Sequence, residues 1–193
     1  MTPSDLERDA LDVLRNFWRM RAALAFLRAE AEPRSRELQA IEVRFDNIPP
    51  SSLSTAILGG EALQAVLSAI ADFEVTRLRN DVLLAMIARL EAYMSDRLRA
   101  ASSLPNDATF GRLQRACETM VAIPQHRIEA LDEVRERRNA LIHHHGAATP
   151  RYLQAASKLP SLPATQVGTV IITDDSYLSY AVGTLVEYGR CIP

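Results

Sequence analysis

Three features of this 193-residue chain predict an all-α fold. Apolar residues recur three and four apart through nearly everything before residue 146, the period of a helix with one buried face. Proline, glycine and asparagine gather in short clusters that punctuate those runs. A single stretch, Val167 to Thr173, is rich in β-branched residues, and it is short. The pattern describes a helical bundle of four to five core helices, with additional N-terminal helices and at most one short β segment near the C-terminus.

In chain order, Leu6, Val13, Phe17, Leu24 and Leu27 form the first helical stripe, with Ser4 as its expected N-cap. Pro33 opens a second helical segment, Arg34 to Phe45, and Asn47 to Ser52 is a loop by composition. After Gly59-Gly60 a long helical stretch runs from Glu61 to about Ala101, with a bend expected near Asp72 or Asn80. Its stripe is Leu83, Ile87, Leu90, Met94 and Leu98. Leu104 to Asp107 is a turn, and Asp107 to Val121 a shorter helix. Pro124 starts a helix expected to reach about His145, where Gly146 suits a C-terminus. Thr149-Pro150 begins a short helix closed by Pro160 and Pro163. Asp174-Asp175 caps a last helix carrying Tyr177, Leu178, Val182, Leu185 and Tyr188. No repeat or linker is visible, so residues 1–193 read as one domain. Residues 1–50 form an N-terminal helical extension and residues 60–190 the core bundle.

Hydrophobic content of 48% and charged content of 24% place the chain among globular proteins able to bury a core. The formal net charge is −2, so no global basic field draws nucleic acid, and any such contact must use a local patch. Lys158 is the one lysine; the remaining cations are arginines, the better phosphate clamps. Cys117 and Cys191 are too few and too far apart for a disulfide framework. With neither a signal-like segment nor a membrane-length apolar run, the expectation is a soluble cytoplasmic protein with no membrane partner.

The densest chemistry lies between Glu133 and Gly146, which holds three of the four histidines and Arg135, Arg137 and Arg138. A fixed cation beside an imidazole that exchanges a proton near neutral pH is what RNA-backbone cleavage requires. On a helical wheel, Ile128, Leu131, Val134, Leu141 and Ile142 form one apolar stripe, and Arg138 falls near its middle. A guanidinium there must be paired or must face a cleft or an interface. The plainer reading is a buried ion pair with a carboxylate of another helix. The histidines likewise have a plainer reading, as favourable cations at a helix C-terminus. Consecutive helical positions diverge, so His143, His144 and His145 make a poor metal site, and no metal or other cofactor is expected. His126 stands alone. There is no glycine-rich phosphate loop, CxxC, HExxH or nucleophile elbow.

Arg138, Asn139 and His143 make a helix-borne Arg-Asn-x-x-x-His that resembles the signature of the HEPN superfamily of helical nucleotide-binding domains. Its context is similar to bacterial members: Glu136 to His143, on through Gly146 to Arg151-Tyr152-Leu153. Leu90-Glu91-Ala92-Tyr93 and the late Val170 to Thr173 also fit, so the resemblance covers about residues 60–190. It implies a four- or five-helix bundle that forms a homodimer through the motif helix. The implied activity is metal-independent RNA cleavage, in toxin–antitoxin or phage-defence systems, with an antitoxin protein as a possible partner.

In that reading His143 is the general base or acid, Arg138 stabilises charge on phosphorus, and Asn139 orients them or the phosphate. Arg137, His144 and His145 are weaker candidates for substrate binding, and Arg137 could replace Arg138 in another register. The alternative is a HEPN-fold module that binds a nucleotide, RNA or protein without cleaving. One geometric tension stands: on an ideal helix His143 lies about 140° from Arg138, whereas His145 lies about 20° away.

Overall fold

The computed structural model describes residues 2–31, 42–43, 61–73, 77–105, 108–160, 162 and 165–193. Seven helices and one pair of two-residue strands are seen among them: α1 (Pro3–Ala31), β1 (Glu42–Val43), β2 (Glu61–Ala62), α2 (Leu63–Phe73), α3 (Arg79–Ala100), α4 (Phe110–Met120), α5 (Gln125–His143), α6 (Pro150–Ala156) and α7 (Asp175–Arg190). The fold is all-α, as its periodicity predicts. No helix among the described residues is long and apolar enough to cross a membrane.

Contacts gather into two compact units, one of residues 1–15 with 79–193 and one of residues 16–78. In the smaller unit β1 and β2 pair antiparallel, Glu42 opposite Ala62 and Val43 opposite Glu61. Two expectations shift here. Glu42–Val43 is extended where a helix was anticipated, and the long stretch beginning at Glu61 becomes α2 and α3. The remainder of Arg34 to Phe45, the loop at 47–52, Gly59-Gly60, Asn106-Asp107 and Pro163 lie outside the described residues.

The larger unit is built on α3. Leu83, Ile87, Leu90, Met94 and Leu98 are all buried, each such side chain contributing roughly 1.5–3 kcal/mol of burial free energy. α3 packs against α4, α5 and α7; α5 in turn packs against α6 and α7. Tyr93 and Tyr188 are fully buried, and each finds a partner for its hydroxyl: Tyr93 donates to the Ile192 carbonyl (3.1 Å), Tyr188 to that of Gln114 (3.3 Å). Gly189 lies where a Cβ would collide with Leu6, so α7 and the start of α1 approach closely. Arg190 clasps Glu7 at 2.6 Å across the same contact.

Caps fix the helix boundaries. Thr2, rather than Ser4, begins α1: its hydroxyl accepts from the Asp5 N–H (3.2 Å) while Asp5 accepts from the Thr2 N–H (2.8 Å). That pairing draws the Asp5 carboxyl down to about 2. Thr149 caps α6 by accepting from the Tyr152 N–H, and Asp174 caps α7 by accepting from the Tyr177 N–H. The β segment expected at Val167 to Thr173 reduces to one bridge, Val170 with Ala147. Gly168, at φ 83°, turns the chain just before it.

The Tyr177 N–H, then Ser176, hold the Asp174 carboxyl below its ordinary 3.8. A depressed carboxylate contributes stability above its unfolded pKa and loses it as pH falls through the folded value. Asp174→Ala is therefore expected to cost about 1 kcal/mol at neutral pH in urea unfolding. The gap from the native chain should close as the pH is taken below the ordinary carboxylate range.

Candidate active site

Every side chain at the centre of the site hangs from α5 or from the reversal that follows it. The helix ends at His143, two residues short of the expected limit. His144 still donates its N–H to the Ala140 carbonyl, but His145 (φ 52°) and Gly146 (φ 80°) turn left-handed. The Gly146 N–H then also reaches Ala140 (3.0 Å), closing the helix end. The Ile171 N–H bonds to the Gly146 carbonyl (2.8 Å), fastening residues 170–173 beside the helix end. The reversal delivers Thr149 to cap α6 and thereby sets Arg151 beside α5.

The two adjacent arginines of the motif have opposite surroundings. Arg137 is 3% exposed and fully engaged. Its Nε pairs with Glu133 (3.0 Å), Nη1 donates to the Ile172 carbonyl (2.8 Å) and Nη2 to the Tyr152 hydroxyl (2.9 Å). Its guanidinium lies over the Tyr177 ring at 3.4 Å from the centroid, and the Tyr177 hydroxyl donates to the second Glu133 oxygen (2.8 Å). Burial opposes the Arg137 charge, yet Tyr177, Glu133 and Tyr152 outweigh it and hold the pKa above its ordinary value. Burial, then the Glu133 charge, pushes the Tyr177 hydroxyl well up, so it remains a donor. The plainer reading of Arg138 asks for an ion pair with a carboxylate of another helix; the buried pair seen is Arg137 with Glu133, within α5 itself. Arg137, the weaker candidate for substrate binding, is thus buried with each of its three nitrogens held by the fold.

Arg138 is half-buried and lines an open cleft of about 690 Å³ between α4, α5 and α6. Asn139 and His143 line the same cleft. Arg138 Nη1 donates to Asn139 Oδ1 and Asn139 Nδ2 to Glu136 Oε2, both at 3.4 Å. Glu136 also holds Arg135 (Nε to Oε1, 3.1 Å), which Asp132 (2.8 Å) and Gln114 (2.6 Å) grip from the far side. The result is a hydrogen-bonded row, Arg138–Asn139–Glu136–Arg135–Gln114, along one wall. Arg115 from α4, and Arg151 and Lys158 from α6 and its following turn, complete the charge. Five cations against two carboxylates leave a net +3 before His143 is counted, inside a chain whose net charge is −2. This is the local arginine patch that an acidic chain would need to hold a polyanion.

The three histidines separate. His143 lines this cleft and also a second, adjoining one of about 740 Å³. His144 lines the second alone, and the described lining of neither includes His145. On the wheel Asn139 falls between Arg138 and His143, and it accepts a hydrogen bond from Arg138. Among the described residues, no three His, Cys, Asp or Glu side chains gather as a group that could hold a metal ion. Cys117, pushed up to about 11 by burial, is no nucleophile candidate.

Sequence reasoning passed over Glu136, Arg135, Arg115, Arg151 and Lys158. The i, i+3 spacing of Glu136 and Asn139 on one helix face was a usable signal; the meeting of Arg115, Arg151 and Lys158 from other elements was not. Arg137→Ala strands the Glu133 charge and should cost about 3–5 kcal/mol in chemical denaturation. Arg138→Ala, on the cleft wall, should stay within about 0.5 kcal/mol of the native chain. Equal losses would show that the two arginines do not divide as described.

No family model, no curated protein and no solved structure matches this chain, so the reading of the cleft rests on its own geometry.

Proposed function

We propose that the protein is a metal-independent endoribonuclease of HEPN type, working as a homodimer. The observation that carries the reading is the convergence of Arg138, Asn139 and His143 on one cation-rich cleft. An imidazole beside a guanidinium whose donors reach the cleft suits in-line attack of an RNA 2′-hydroxyl on the adjacent phosphorus. The O2′–P bond forms and the P–O5′ bond breaks. The 2′-hydroxyl proton passes to one His143, and the departing 5′-oxygen takes a proton from the His143 of a second copy. The products are a 2′,3′-cyclic phosphate and a 5′-hydroxyl. Arg138 neutralises charge gathering on the phosphoryl oxygens, and Asn139, braced by Glu136, holds the guanidinium in place.

Support for the second copy comes from the apolar surface around the motif. Ile142 on α5 is 45% exposed, and Val170 and Ile172, on the segment fastened to the helix end, are more exposed still. Large aliphatic side chains grouped on one element and its neighbour are what an interface covers. A cytoplasmic location and a role in toxin–antitoxin or phage-defence systems, with an antitoxin as regulator, complete the proposal. An acidic chain with one concentrated cationic cleft suits brief, local contact with RNA.

Purified protein in EDTA should cleave mixed RNA to cyclic-phosphate ends, with Arg138→Ala and His143→Ala each lowering the rate at least about 100-fold. His145→Ala should leave it within a fewfold. Full activity in Arg138→Ala would end the reading, and no cleavage by a folded dimer would favour a binding module. By sedimentation the native chain should be dimeric; Ile142→Glu should yield a folded monomer without activity. A monomeric native chain that still cleaves would remove the composite site.

A further inference from the structure

We infer that the second cleft is a nucleobase subsite, and that the pair of clefts takes single-stranded RNA with one base turned into it. This rests on the reading of the first cleft as an RNA site and names the form of RNA it accepts. The two clefts differ in chemistry but share a wall. The first is lined by guanidinium, ammonium and carboxylate groups; the second is floored by Ala147 and Ala148 and edged by Pro150, Val167 and His144. Glu136, Asn139, His143 and Arg151 belong to both. A nucleotide has the same division, an anionic phosphate joined through a sugar to a flat base with apolar faces. With its phosphate beside His143 and Arg151, the base has one apolar recess within reach.

The recess suits a base in detail. The imidazole of His144 is a flat face on which a base can stack, and the Pro150 ring adds apolar surface. Gly168 leaves the rim bare: a Cβ placed there would meet nothing within 4 Å. Both backbone polar groups of Ala148 on the floor are already used. The Ala148 N–H bonds to the Thr169 carbonyl (2.8 Å), and the Ala148 carbonyl accepts from Gly168 (2.9 Å). Thr149 accepts from the Tyr152 N–H (3.1 Å) and keeps its own hydroxyl proton to give. Beyond the wall it shares with the first cleft, the recess offers few free donors and acceptors, so it holds a base chiefly by its face and discriminates weakly among bases. A paired base cannot enter, because its faces are covered by stacking and its edge by its partner.

The test is fluorescence anisotropy with a short, labelled 2′-O-methyl oligonucleotide, which lacks the attacking hydroxyl and so reports occupancy apart from turnover. It is compared with an abasic 2′-O-methyl chain of equal length and with the duplex. The single strand should bind at least about tenfold tighter than the abasic chain, and tighter than the duplex. Ala147→Leu, which fills the floor with neutral bulk, and His144→Ala, at an exposed position, should each bring single-strand binding down toward the abasic level. Abasic binding should not change. Equal affinity of based and abasic chains, or preference for duplex, would overturn the base subsite and leave the cationic cleft standing. Binding of neither chain would overturn both the subsite and the RNA reading beneath it.

Discussion

The Arg137–Glu133 pair holds the site together. Both charges are sealed from water, so the geometry around them must be complete: three guanidinium nitrogens and both carboxylate oxygens are occupied. The partners come from α5, α6, α7 and the segment before α7, which means that one buried cation fixes four pieces of chain at once. A buried pair adds little net stability compared with apolar residues of the same shape, but breaking it is costly, and it tolerates one arrangement of its neighbours. The cleft inherits that arrangement. Arg138, Asn139 and His143 sit on the helix that Arg137 anchors, about 100° to 240° around it from Arg137, and Arg151 follows from the helix that Tyr152 pins.

The cleft wall shows why two carboxylates belong in a site meant for an anion. Asp132 and Glu136 hold Arg135 fixed in the cleft wall, and Glu136 passes that order on to Asn139 and Arg138. An unbraced arginine would lose more side-chain freedom on meeting a phosphate than one already held in place. Some of the positive charge is thus spent on order, and Arg115, Arg151 and Lys158 restore the balance.

Much of the fold was legible because it is local. The stripe of α3, the caps at Thr149 and Asp174 and the stripe of α7 each depend on residues a few positions apart. The first cap slipped to Thr2 because Thr2-x-x-Asp5 is a reciprocal pair whereas Ser4 has only position in its favour. The buried arginine was misplaced by one residue for a physical reason. A wheel built on aliphatic residues alone puts the buried face near Arg138, yet α5 buries Glu133 and Arg137, which pair with each other and with Tyr152, Tyr177 and the Ile172 carbonyl, far away in sequence. The neighbourhood of Arg138, Asn139 and His143 was legible from their spacing. The cations from α4 and α6, and the second cleft behind Val167, were not, because only the folded chain brings them together.

The segment that carries Val170 and Ile172 is held by main-chain bonds, Ile171 N–H to Gly146 and the Ile172 carbonyl to Arg137, and by the buried Ile171 side chain, packed with Ala140, Ala148 and Tyr152. Its side chains at 170 and 172 point away from those bonds and are largely exposed. The place of those two side chains is therefore set without using them, and both remain for whatever covers that surface. A second copy seated there would meet a rib already fixed in shape, so docking could bury it without disturbing the site behind.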